Sequence, residues 1–107
     1  MAIENQPTPW TEAIVTICEK CGKSLDDLKL IEEGNASENL KRYLKGRFRT
    51  TENPKKVRVV TSSCLDVCIK NKVALSYNPV AGSQRTQQVL TVHPEEDREE
   101  LFQFINK

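Results

Sequence analysis

The sequence predicts an α/β domain in which helices pack on a four-stranded mixed sheet, in the order β-α-β-β-β-α. Three observations predict it. Runs of apolar and β-branched residues recur four times, in "EAIVTI", "KKVRVVTS", "KVALSY" and "QQVLTVH". Stretches with apolar residues three or four apart lie between the first two runs and after the last. The linker between the third and fourth runs has hairpin length, whereas a helical crossover separates the first two.

"EAIVTI", residues 12–17, is almost continuously apolar, as a strand buried on both faces would be. "SLDDLKLIEEG" reads as a short helix. Ser24 and Asp27 have capping-box-like spacing, Leu25, Leu28 and Ile31 share a face, and Gly34 ends it. "NASENLKRYLKGRF" reads as a second helix, capped by Asn35 or Ser37, with Leu40, Tyr43, Leu44 and Phe48 as its apolar stripe. "TENP" is a turn before the second strand, residues 56–61. Residues 72–77 and 87–93 form the hairpin, joined by the "NPVAGSQRT" loop. "PEEDREELFQFIN" is the closing helix, with Pro94 as its first residue and acids in its first turn. This is the layout of a compact thioredoxin-like domain over residues 12–107, preceded by a flexible N-terminal leader, residues 1–11.

Composition narrows the function. The 107 residues carry a net charge of +1, so no bulk field selects a partner. The segment from Lys41 to Arg58 nevertheless holds eight basic residues and one acid, Glu52. It is a candidate docking face for an acidic partner, although a solvated helix face is the plainer reading. No aromatic-interleaved RNA motif or zinc-finger spacing favours nucleic acid as a partner. No apolar run approaches the roughly 20 residues that span a bilayer. The first residues lack the pattern of a secretory signal, so the expected compartment is the cytoplasm.

In a reducing compartment, four cysteines in two close pairs point to metal binding or redox chemistry rather than structural disulfides. The pairs are Cys18 with Cys21, and Cys64 with Cys68. Cys18 follows the first strand and Cys64 follows the second. Parallel strands end on the same edge of a sheet, so the topology draws the pairs together across the 42 intervening residues. Four thiolates at one edge suit a tetrahedral Zn²⁺ or an iron–sulfur cluster. Lys20, Lys23, Lys70 and Lys72 lie beside the pairs, where positive charge favours thiolate.

The run "VRVVTSSCLDVCIKNKVALSYNP", followed by "VLTVHPEEDREELFQFI", resembles the C-terminal half of thioredoxin-like two-iron two-sulfur ferredoxins. The opening "IVTICEKCGKS" resembles the start of related small bacterial predicted metal-binding proteins. The resemblance implies that Cys18, Cys21, Cys64 and Cys68 ligate a 2Fe-2S cluster. It also implies one-electron transfer to a redox partner docking near the cysteine edge. Ferredoxins of this type separate their first two ligands by a longer loop, whereas Cys18 and Cys21 stand two residues apart. Two alternatives stay open: a zinc-binding structural or interaction module, and a thiol–disulfide oxidoreductase using Cys18 and Cys21. Against the latter, Ser24 as helix cap leaves both cysteines ahead of the helix, and no proline precedes the third strand. His93 is expected to cap or face solvent at the end of the sheet opposite the cysteines. Trp10 is expected to pack on the domain.

Overall fold

The computed structural model describes residues 4, 6, 9–20, 30–51, 56–63, 72–80 and 84–106. The elements are β1 (Ala13–Cys18), α1 (Ala36–Phe48), β2 (Val57–Ser62), β3 (Val73–Pro79), β4 (Gln88–Val92) and α2 (Arg98–Asn106). They build one four-stranded sheet in the order β2-β1-β3-β4. β1 runs parallel to β2 and antiparallel to β3, and β4 runs antiparallel to β3. The α/β class, the mixed sheet and the pairing expected from the crossover and the hairpin are therefore all present. No helix among the described residues is long and apolar enough to cross a membrane.

Strand alternation separates the two faces of the sheet. Ala13, Val15 and Ile17 of β1 are fully buried on one face, with Val57 and Val59 of β2 beside them. Both helices cover that face. Phe104 of α2 meets Tyr77 of β3 edge-on at 5.9 Å, and Phe102 packs on Phe48 of α1 at 5.0 Å. β3 is buried on both faces from Val73 to Tyr77, which accounts for its apolar run. β2 and β4 are the outer strands, and Val89 of β4 is 52% exposed.

α1 forms where the sequence indicates. Asn35 is its N-cap, and its side-chain oxygen accepts from the N–H groups of Ser37 and Glu38 at 2.9 and 3.2 Å. Leu40, Leu44 and Phe48 are its buried stripe. Lys45 and Arg47 in the last turn complement the helix dipole. Gly34, one residue before the cap, has φ +92°, a left-handed conformation that suits glycine.

Three expectations are corrected. Of the helix expected over "SLDDLKLIEEG", the part from Leu30 to Gly34 is not helical, and Ile31 is 93% exposed rather than part of an apolar stripe. The N–H groups of Ile31 and Glu32 donate to the carboxylate of Glu95 at 2.9 and 2.8 Å, so they are not given to helical carbonyls. Ser24, Leu25, Asp27 and Leu28 lie outside the described residues, as do Glu52, Asn53 and Pro54 of the "TENP" turn. Second, Pro94 does not begin α2. Residues 94–97 form a turn, and the helix starts at Arg98. The Arg98 guanidinium donates to the Pro94 carbonyl at 2.9 and 3.1 Å, occupying the acceptor that a continuous helix would offer to its own N–H. Third, helical backbone is already present at Glu19 and Lys20, directly after Cys18 and ahead of Ser24, which lies outside the described residues.

Trp10 packs on the domain as expected, with the Arg58 guanidinium 5.8 Å from its ring centroid.

Candidate functional site

The carboxyl ends of β1 and β2 share one edge of the sheet, because Cys18 and Ser62 are partners in the parallel register. Cys18 is only 1% exposed. Alternation places it on the face away from the helices, together with Ile14 and Thr16. Its backbone is fixed from the other side. The buried hydroxyl of Ser37, in the first turn of α1, donates to the Cys18 carbonyl at 2.6 Å. The end of β1 is thus clamped to the start of the crossover helix.

Ser62 lies on the same face as Cys18, two residues ahead of Cys64 in sequence. Its Oγ is enclosed and has no hydrogen-bond partner among the described residues. A buried hydroxyl without a partner costs about 1–3 kcal/mol, so such a group marks a place where something polar belongs. Neither composition nor any motif singles out Ser62. Its register with Cys18 is the only signal, and that follows from aligning the two parallel strands.

Cys21, Cys64 and Cys68 lie outside the described residues. Their neighbours are informative. Lys20 immediately precedes Cys21, and Ser63 immediately precedes Cys64. Lys72, four residues after Cys68, leads into Val73 at the start of β3. Because β3 runs antiparallel to β1, its start lies at the Cys18 edge. Both stretches of chain carrying the remaining cysteines thus attach to the described structure at that edge. Among the described residues, no three His, Cys, Asp or Glu side chains form a group suited to a metal ion.

His93 is at this edge as well, which corrects its expected placement at the opposite end. Two successive antiparallel pairings return β4 to the direction of β1, and Val92 pairs with Val73. Its capping role is as expected. Nδ1 accepts from the N–H groups of Glu95 and Glu96 at 3.1 and 2.9 Å. The backbone N–H of His93 donates to Asp97 Oδ2 at 2.7 Å, and the same oxygen lies 3.9 Å from Lys72 Nζ. With Nδ1 committed to two donors, only Nε2 could approach a ligand.

Glu95 ties the loop before α1 to the turn before α2. The N–H groups of Glu32 and Ile31, aided by the positive charge of Arg98, hold its carboxyl below its ordinary value, against an opposing effect of desolvation. Arg98 also pairs with Glu32. A carboxyl held low stabilises the fold fully above the ordinary carboxylate range, and that contribution fades as pH falls toward the depressed value. Denaturant melts of Glu95→Gln and the parent should therefore differ at neutral pH, and the difference should shrink progressively as pH falls below the ordinary carboxylate range. A difference that stays constant on acidification would remove this role.

The chain matches no protein-family model, no curated protein and no solved structure.

Proposed function

We propose that the chain is a small thioredoxin-like electron carrier of the cytosol that holds a 2Fe-2S cluster on Cys18, Cys21, Cys64 and Cys68. The observation that carries this reading is the edge itself. Cys18 and Ser63 stand at the ends of neighbouring parallel strands, and the chain leads from them into the other three thiols within a few residues.

The residues present fit such a group. The donor set is four thiols in two short-spaced pairs, one pair for each iron. Cys18 is buried, so its sulfur would lie partly shielded from water. The Ser62 hydroxyl beside it has an uncommitted proton, and hydrogen bonds to sulfur tune such centres. When bound, the cluster supplies one-electron transfer. The protein's own residues hold it, exclude water and set its potential. The redox partner would dock at the cysteine edge, where Lys20 and Lys72 add positive charge. Cluster-loaded Ser62→Ala should have a reduction potential lower by about 40 mV, the equivalent of losing one hydrogen bond of about 1 kcal/mol. The donor favours the more negative reduced state, which sets the sign. An unchanged potential in voltammetry would show that this hydroxyl reaches no sulfur.

One observation favours thiol–disulfide exchange instead. Helical backbone begins right after Cys18, so the thiol is nearer a helix start than the Ser24 cap implied. The burial of Cys18 opposes it, because attacking thiols need access.

Anaerobic purification followed by visible absorption and iron, sulfide and zinc analysis separates these readings. Charge-transfer bands with matching iron and sulfide support the carrier. A colourless protein with one equivalent of zinc, or a metal-free protein with a reversible Cys18–Cys21 disulfide, would overturn it.

A further inference from the structure

Three cations of the helices have an acidic partner among the described residues. Lys41 pairs with Glu38, Arg47 with Glu99, and Arg98 with Glu32. Lys45, Arg49 and Arg58 have none among the described residues. These three line one cleft of about 370 Å³ between the last turn of α1 and the outer strand β2. Trp10 closes one side of it, and Phe48 and Val57 contribute apolar surface. None of the described residues that line it is acidic. The cleft is remote from the cysteine edge, since Val57 pairs with Ala13 at the opposite end of β1 from Cys18.

Each of these facts constrains a ligand. The volume falls within the roughly 300–1,000 Å³ of small-molecule sites. Three uncompensated positive charges, two of them guanidinium forks, match a phosphate dianion better than a lone carboxylate. An indole at the rim offers a platform on which a flat ring can stack. Three cations meet at one cleft, which suits a single phosphate better than a strand of nucleic acid, whose sites extend over about four or more nucleotides.

We propose that this cleft binds a small phosphate monoester carrying a planar ring, the chemistry of a nucleoside monophosphate. The phosphate lies among Lys45, Arg49 and Arg58, and the ring stacks on Trp10. The proposal is independent of what the cysteines hold.

Trp10 is the single tryptophan of the chain, so its fluorescence reports on the cleft alone. Adenosine monophosphate is titrated into the full-length protein at low salt, with calorimetry in parallel. A saturable signal is expected, weakened at least about tenfold in Lys45→Gln/Arg58→Gln and in Arg49→Gln. Arg42→Gln, exposed on the same helix but outside the cleft, should bind like the parent. Inorganic phosphate or adenosine alone should each bind at least about tenfold more weakly, since each keeps half of the contacts. Lys45, Arg49 and Arg58 are exposed, so the variants are expected to fold, which circular dichroism checks. The proposal fails if no saturable response appears or if the cleft variants bind unchanged. It fails equally if a glutamate-rich peptide or a single-stranded oligonucleotide binds more tightly than the mononucleotide.

Discussion

Anaerobically purified Cys64→Ala and Cys18→Ala proteins are each expected to lose at least about tenfold in bound iron and sulfide, together with the visible charge-transfer bands. The reason is that one centre needs both pairs. A two-iron cluster deprived of one thiolate leaves an iron short of its tetrahedral shell. The two variants come from opposite ends of the shared-edge argument. Cys18 ends β1 and has Ser62 as its register partner, whereas Cys64 follows β2 by two residues. Equal losses in both support one shared centre. Full loading of Cys64→Ala beside an empty Cys18→Ala would mean that the pairs act separately, and the carrier reading would fall. Cys18 belongs to the buried core, so circular dichroism must accompany that variant. Cys64→Ala supplies the test if Cys18→Ala does not fold.

Phe48→Ala is expected to destabilise the fold by about 3–5 kcal/mol. Phe48 is 2% exposed and ends the buried stripe of α1. Its ring meets Phe102 at 5.0 Å with a 57° tilt, so it joins the two helices over the sheet. The Arg47 guanidinium lies 4.3 Å from the centroid of the Phe102 ring and is held by Glu99. Truncation leaves a cavity at this junction that neither the sheet nor the ion pair can close. A domain of this size has about 5–15 kcal/mol of stability, so the variant should melt more than about 10 °C lower. A loss below about 1 kcal/mol would show that the helices are not joined here.

Much of this architecture can be read from local sequence. "EAIVTI" and "KKVRVVTS" mark two strands, the first of them central and the second at the edge of the sheet. A helix between them requires a parallel pairing, and the structure has it. Asn35 and the Leu40, Leu44 and Phe48 stripe define α1 because cap and periodicity are local signals. The failures arise where a distant group competes. Leu30–Gly34 departs from its helical pattern as Glu95, over 60 residues away in sequence, takes the N–H groups of Ile31 and Glu32. Pro94 suits a helix start, but the Arg98 side chain claims its carbonyl. The placement of His93 was implicit in the pairing, since two reversals restore the direction of β1. At the candidate site, the sequence shows which residues carry thiols. It does not show that Ser37 clamps the Cys18 carbonyl, or that the Ser62 hydroxyl is enclosed without a partner among the described residues. Those depend on register and on helix docking.

The two outer strands differ in a way that bears on how the protein behaves in concentrated solution. β2 carries Arg58 on its margin, and a charge there discourages another chain from adding a strand. β4, "QVLTV", has no charge along its length and leaves Val89 open to water. Strand addition between copies, and the slow fibrillar association it seeds, should therefore begin at the β4 margin rather than at β2.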